Sequence, residues 1–566
     1  MEKIEQEYQL WRKTVRQADL QEELVKIAQD PQARKERFYK DLEFGTGGMR
    51  GFIGAGPNRL NIYTIRKATR GLANFLNTTA RPEQNSVVIA YDSRHKSQDF
   101  AEEAALVLAA AGIKAYVFAR ITPTPILSYA VRALGCTAGI VITASHNPKE
   151  YNGYKVYNHT GGQVTDALAN AITAEIGKIG DLFGIPVLSR TEAAESGLLV
   201  DLTDTFLDTY LALTKKLILN PELVREAAGQ LKIVYSPLHG AGLVPLTRLF
   251  AETGYNSVFI VEQQALADPD FPTVICPNPE EQAACALALE DAQKLDADLI
   301  LLTDPDADRI GLVVKDLCGE YQQLTGNQTG ALLIDYILKT KNAQNALPPN
   351  GVVVKTIVTS EMGAQIAAKY GVQSIDVLTG FKYIGEKIAE FEETGAYTFL
   401  FGYEESYGYL IGTHARDKDA VQTALILAEM ALHHKKNNSS VYARLLELYA
   451  EFGYYAEDLL NIQLEGLLGQ QKIGRIMDNL RRGDTAWLQP FGLLGTRDYL
   501  NGAFNLPPAN VLYYELSEDS WCCVRPSGTE PKLKIYLGVC CASAEESLHR
   551  LTQLKEAVLK FLTPYV

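Results

Sequence analysis

Ala138-Gly139-Ile140-Val141-Ile142-Thr143-Ala144-Ser145-His146-Asn147-Pro148 is the stretch on which the reading of this 566-residue chain turns. The apolar, β-prone run 138–142 predicts a buried strand. Asn147-Pro148 then breaks it into a turn. Ser145 is thereby presented at a strand end on a constrained loop, where a hydroxyl is exposed and able to react. Working outward, the same alternation surrounds it. A strand is expected over 86–91, a helix over 101–111, a strand over 113–118 and a helix over 125–134. This βαβα order with Val/Ile-rich strands predicts a mainly parallel sheet covered on both faces. The pattern returns over 232–303 and again over 352–401, giving three mixed α/β sheet domains of similar layout. Beyond about residue 456 the strands 511–516, 521–524 and 533–539 precede a helix over 544–562, which predicts a smaller α+β unit. The stretch 489–510, rich in Pro, Gly and Asn, reads as irregular structure leading into it. Residues 1–40 read as charged helices forming a surface extension.

Each unit places a reactive segment after a strand: Ser145 in the first, Asp304-Pro305-Asp306-Ala307-Asp308-Arg309 in the second, Tyr403-Glu404-Glu405-Ser406 in the third. Open α/β sheets bind ligands at that edge. Asp304, Asp306 and Asp308 repeat every second residue, so an extended loop sets three carboxylates on one side. Crowded anions repel and require a cation, and all-oxygen donors favour Mg²⁺. Ser145 lacks the Gly-x-Ser-x-Gly elbow of acyl-transfer enzymes. Phosphoryl transfer needs a placed hydroxyl, a metal and basic groups instead. Lys155 lies ten residues beyond Ser145 and is expected to return to the site for proton transfer or charge stabilisation. His146 adjoins the serine and supports its loop. Arg525-Pro526-Ser527-Gly528-Thr529 combines a forked donor, two hydroxyls and a glycine into an anion cradle. Glu404, Glu405 and Ser406 offer acceptors to sugar hydroxyls. Lys418 is a further phosphate contact, Arg309 can pair with a phosphate or carboxylate, and His239 reads as structural.

Composition limits the alternatives. With 47% hydrophobic and 22% charged residues the chain reads as an ordinary globular protein. A formal net charge of −14 argues against nucleic-acid or anionic-membrane binding. The apolar run 104–113 is too short to span a bilayer, and the first residues show no signal-peptide pattern. The eight cysteines include no Cys-x-x-Cys pair, which suits a reducing cytoplasm. No dimer-forming segment stands out, so a monomer is expected.

Taken in order, Thr-Ala-Ser-His-Asn-Pro, Asp-Pro-Asp-Ala-Asp-Arg, Glu-Glu-Ser-Tyr-Gly and Arg-Pro-Ser-Gly-Thr-Glu-Pro resemble the α-D-phosphohexomutase superfamily, in particular its long-form bacterial branch. The resemblance runs from Phe44 onward. It implies four domains around a central cleft, here expected at 1–206, 207–324, 325–455 and 456–566. It implies that Ser145 carries a phosphoryl group and that Asp304, Asp306 and Asp308 bind Mg²⁺ together with an oxygen on Ser145. It implies sugar contacts from Glu404, Ser406, Thr379 and Gly380. Charge neutralisation would come from Arg50, Lys155, Arg309 and Lys418, with Lys155 the proton carrier. The non-reacting phosphate would sit on Arg525, Ser527, Gly528 and Thr529.

The implied activity is reversible conversion of α-glucose 1-phosphate to glucose 6-phosphate through glucose 1,6-bisphosphate, which also serves as primer. The alternatives are a phosphopentomutase, a phosphomannomutase, a metal-dependent sugar phosphatase and a non-catalytic sugar-phosphate sensor. The loop after Ser406 lacks the histidine of the mannose- and glucosamine-handling branches. Phosphoserine must be shielded from water, so closure of the fourth domain is expected.

Overall fold

A computed structural model describes residues 2–45, 47–78, 84–464, 466–527 and 532–565. Its first sheet has six strands: β1 (Gly48–Phe52), β2 (Ser86–Tyr91), β3 (Lys114–Phe118), β4 (Ala138–Ile142), β5 (Tyr151–Asn158) and β6 (Leu199–Leu202), in the order β1-β5-β4-β2-β3-β6. The second has β7 (Ile233–Ser236), β8 (Val258–Ile260), β9 (Leu299–Thr303), β10 (Ile310–Lys315) and β11 (Tyr321–Leu324), ordered β11-β10-β9-β7-β8. The third has β12 (Gly351–Thr356), β13 (Gln373–Val377), β14 (Thr398–Tyr403) and β15 (Tyr409–Leu410), ordered β13-β12-β14-β15. The fourth is antiparallel: β16 (Tyr454–Gln463), β17 (Leu493–Asp498), β18 (Leu512–Leu516), β19 (Trp521–Pro526) and β20 (Lys532–Cys541), ordered β16-β20-β19-β18-β17. The protein is therefore three mixed α/β sheets followed by an antiparallel C-terminal one.

The three α/β sheets are mixed, as expected, and share one device. In each, a strand of the parallel core turns back into an antiparallel partner: β4 into β5, β9 into β10, β14 into β15. The parallel core strands are buried end to end, as in β4 and β9. Burial on both faces explains their unbroken Val/Ile/Leu composition. Each hairpin turn carries one of the reactive segments. A turn hydrogen-bonded through both flanking strands holds its side chains far more rigidly than a loop leading to a helix.

Two expectations are corrected. The N-terminal helices Glu2–Thr14, Ala18–Lys26 and Pro31–Phe38 are more than a surface extension. Tyr8, Trp11, Val15, Leu24 and Phe38 form a small core with Ala55 and Tyr63 of the first unit. Trp11 is wholly buried and meets Phe38, Tyr63 and Phe183 edge-on at 6.0, 5.7 and 5.5 Å between centroids. Glu23 fastens the segment after β1 by accepting from Ala55 N at 2.6 Å, while pairing with Arg37 at 2.6 Å. Trp11→Ala is expected to cost about 3–5 kcal/mol, read by denaturant unfolding. The stretch 489–510 is likewise partly regular. A 3₁₀ helix, Ala486–Phe491, turns through left-handed Gly492 into edge strand β17. Strand β17 alternates half-buried and exposed positions, which marks it as one-faced.

Candidate active site

The Ser145 loop joins β4 to β5. Ser145 takes a left-handed backbone, φ 53°, which is uncommon for a residue with a side chain. That conformation turns its hydroxyl, buried here and not exposed as expected, toward the second unit, where Oγ donates to Asp304 Oδ2 at 2.6 Å across 159 positions of sequence. His146 Nδ1 lies 3.1 Å from the same oxygen. Burial, aided by the Arg309 and Arg50 cations, pushes the His146 imidazole well below its usual pKa. The shift favours the neutral ring, which contacts the serine oxygen and supports its loop.

Asp304, Asp306 and Asp308 are buried in the β9–β10 turn, and one oxygen from each falls within 4.8 Å of the others. Asp304 Oδ1 accepts from Asp308 N and Arg309 N at 3.1 and 3.0 Å, which closes the turn on itself. Burial and the Asp306 and Asp308 charges raise the Asp304 carboxyl far above the ordinary carboxylate range. Burial also pushes Asp306 upward, but Lys155, a hydrogen bond from Asp304 and the Lys418 charge together outweigh it and hold that carboxyl well below its ordinary value. The Asp306 and Asp308 Oδ1 atoms are buried and have no hydrogen-bond partner among the described residues. Crowded carboxylates with orphaned oxygens and an all-oxygen donor set fit a hard divalent cation. The three aspartates are a possible metal site.

The basic groups come from elsewhere. Lys155, carried back by β5, sits 3.0 Å from Asp306 and 3.6 Å from Asp308. Lys418 reaches Asp308 at 3.1 Å and Asp417 at 3.0 Å. Its stem runs over Gly408, where a Cβ would lie 2.2 Å from Lys418 Cδ, so a larger residue there would displace the lysine. Asp308, Asp417 and Glu404 raise the Lys418 pKa despite its burial. Arg309 pairs with Glu280 at 2.8 Å, and Arg50 Nη1 donates to Asn147 Oδ1 of the serine loop at 2.9 Å.

Beside this cluster, buried Glu404 accepts from Gly380 N at 3.0 Å. Gly380 has φ 125°, a conformation suited to glycine. Thr379 Oγ1 is buried with no partner among the described residues, and Ser406 is half-buried on the same turn as Glu404. Burial and the Glu404 charge push Glu405 up to about 7. Arg525 and Ser527 lie at the end of β19, with Ser527 N donating to Lys532 O at 2.7 Å. Gly528 and Thr529 lie outside the described residues. His239 has a structural part: its ring nitrogens lie 3.1 Å from Leu266 O and 2.9 Å from Thr273 Oγ1.

Sequence reasoning missed Asp92, Arg94, Thr124 and Glu280. Thr124 Oγ1 donates to Asp306 Oδ2 at 2.9 Å. Asp92 and Arg94 follow β2 at the edge where Ser145 follows β4, so the strand-end rule alone could have singled them out. The backbone of the aspartate turn is tied to every α/β unit. Thr124 N donates to Asp306 O, Ala241 N to Pro305 O and Ala420 N to Ala307 O, at 2.9, 2.8 and 3.3 Å.

Three family models match in chain order: phosphoglucomutase/phosphomannomutase α/β/α domain I over residues 41–182, domain II over 208–319 and domain III over 325–449. A phosphoglucomutase of Staphylococcus haemolyticus is 38% identical over 89% of this chain and 92% of its own. One of Staphylococcus saprophyticus is 34% identical over 95% and 98%. Among solved structures, pp63/parafusin, a phosphoglucomutase of Paramecium in open form, superposes with a TM-score of 0.69 at 18% identity, covering 93% of this chain and 95% of that one. A phosphoglucomutase/phosphomannomutase family protein of Burkholderia thailandensis gives 0.64 at 20%, covering 91% and 97%. These two likenesses speak to the fold.

The chain belongs to the α-D-phosphohexomutase superfamily, in its phosphoglucomutase/phosphomannomutase family. It is an enzyme of the isomerase class, a phosphohexomutase. No helix among the described residues is long and apolar enough to cross a membrane.

Proposed function

We propose that the protein is a phosphoglucomutase, interconverting α-D-glucose 1-phosphate and glucose 6-phosphate through a phosphoserine at Ser145 and a glucose 1,6-bisphosphate intermediate. The observation that carries this reading is the Ser145 hydroxyl 2.6 Å from Asp304, inside a buried carboxylate cluster ringed by lysines. The bacterial relatives at 34–38% identity support the choice of sugar. Asp304, Asp306 and Asp308 would hold Mg²⁺, which when bound supplies charge stabilisation to a phosphoryl group on Ser145.

The chain's own groups perform the rest. Phosphoserine gives its phosphoryl group to the free sugar hydroxyl: the Ser145 Oγ–P bond breaks and the sugar O–P bond forms. The proton of that hydroxyl passes to the departing Ser145 oxygen through Lys155, which gives up one ammonium proton as it takes the other. Glu404 and Ser406, with Thr379 and Gly380, orient the sugar hydroxyls. Arg525 and Ser527, continued by Gly528 and Thr529, hold the phosphate that is not reacting. The bisphosphate turns over, and its other phosphate returns to Ser145. In that return the serine proton passes to the freed sugar oxygen, with the His146 ring beside Oγ. Arg50, Arg309 and Lys418 balance the charge in transfer.

Mg²⁺ and a bisphosphate primer are thus the required additions. Eight free cysteines accord with a cytoplasmic enzyme, and we expect a monomer. Specificity constants for glucose, mannose and ribose 1-phosphates, with Mg²⁺ and primer, test the reading. Glucose 1-phosphate is expected to lead by about tenfold or more. Preference for ribose 1-phosphate, or release of free phosphate in place of isomerisation, would overturn it.

A further inference from the structure

We propose that Arg94 is a positioning residue for phosphoryl transfer: braced by Asp92 and covered by Phe271, it fixes the Ser145 loop so that the hydroxyl faces the aspartates. The inference rests on the phosphoserine reading above. The Arg94 side chain has no exposed surface. Its Nη2 donates to Ser145 O at 2.6 Å and to Asn147 O. Its Nη1 donates to Pro148 O at 2.8 Å and Tyr151 O at 3.1 Å. One planar fork thus gathers carbonyls from the reactive residue, from the turn behind it and from the first residue of β5. Only a guanidinium has that geometry, since an ammonium is a single point of charge.

The brace is as specific as the fork. Asp92 Oδ2 lies 3.4 Å from Arg94 Nε and accepts from Thr143 Oγ1 at 2.6 Å. Thr143 Oγ1 in turn accepts from Ser145 N at 2.8 Å. Asp92 Oδ1 accepts from Arg94 N at 3.0 Å and from Ser97 Oγ at 2.7 Å. Ser145 is therefore gripped at its amide through Thr143 and at its carbonyl by Arg94. Fixing a peptide at both ends is how a left-handed φ persists in a residue with a Cβ. None of these contacts touches the reacting oxygen, so the residue acts through the loop.

Phe271 adds the second unit to the arrangement. Its ring covers the guanidinium with the centroid at 5.0 Å, a cation–π contact at a buried site. The segment bearing Phe271 is anchored at Leu266 and Thr273 by His239. The neighbouring Gly240 packs against Pro305, where a Cβ would stand 2.3 Å from Pro305 Cα. The same short turn thus supports both the aspartate turn and the cover over Arg94. Ser145 and Asp304 are registered against each other through this shared support.

The test is Arg94→Lys in the full-length protein, with single-turnover phosphorylation of Ser145 by glucose 1,6-bisphosphate and steady-state turnover of glucose 1-phosphate as readouts. Phosphorylation is expected to slow by about 30-fold or more, because a misplacement of an ångström already costs that much. The KM for glucose 1-phosphate should stay within about twofold, since no sugar contact is removed. Phosphorylation at the wild-type rate overturns the inference. So does activity lost only in proportion to the unfolded fraction. Should Arg94→Lys fail to fold, Phe271→Leu carries the test, because it leaves every hydrogen bond of the loop in place. Slowing of the same step supports the inference, and a wild-type rate overturns it. Wild-type protein that accepts no phosphoryl group would sink the phosphoserine reading and the inference with it.

Discussion

Ser145→Ala is expected to lower turnover of glucose 1-phosphate by about 10⁴-fold or more, because the substitution removes the atom that carries the phosphoryl group. The fold should survive. The lost hydroxyl contacts Asp304 and His146, each bond worth about 1 kcal/mol. Backbone contacts at Thr143 and Arg94 hold the loop without it. Intact mass after incubation with glucose 1,6-bisphosphate is the decisive companion measurement. Wild type should gain a phosphoryl group and the variant should not. A variant that still turns over, or still takes up phosphoryl mass at this segment, would remove Ser145 from the reaction.

Asp306→Asn should produce the next largest effect. The change keeps the shape and removes one anion from a buried cluster of three. Asp306 faces Lys155 at 3.0 Å and accepts from Thr124 Oγ1, while its other oxygen is buried with no hydrogen-bond partner among the described residues. Neutralising it leaves Lys155 with a weaker partner and gives a divalent cation one fewer charged ligand. The Mg²⁺ concentration for half-maximal activity should rise by about 100-fold, and turnover at saturating Mg²⁺ should still fall by about 100-fold or more. Titration of activity with Mg²⁺ separates the two effects. An unchanged Mg²⁺ requirement would show that the cation is held elsewhere.

Much of the architecture was legible because burial writes itself into composition. The core strands β4, β9 and β12 are buried on both faces, and their uninterrupted apolar runs stood out. The turns after β4 and β9 followed from those strands, so Ser145 and the aspartates could be named together. Strand β15 was not legible because it spans only two residues, and edge strand β11 because Gln322 and Gln323 break any apolar run. The N-terminal core was hidden for a different reason. Tyr8, Trp11 and Val15 mark a helical stripe, but the helix bearing the first two is dominated by charge and its apolar partners, Ala55 and Tyr63, lie far downstream. The place of Arg94 after β2 was readable, but its role was not, because its contacts go to backbone carbonyls, which carry no side-chain identity. Lys155 was readable in part: its spacing suggested a return, and only the hairpin explains how it gets there.

The aspartate turn accepts main-chain bonds from Thr124, Ala241 and Ala420, one from each α/β unit. It is a keystone of the second unit, steadied from within by Ala241 and gripped by both neighbouring units through Thr124 and Ala420. A fragment carrying a single unit would be chemically inert even if well folded, and loosening any one joint would unmake the catalytic centre before the chain as a whole melts. Loss of activity should therefore precede loss of helical signal on heating, which makes catalysis itself the most sensitive gauge of whether the three parts are still docked.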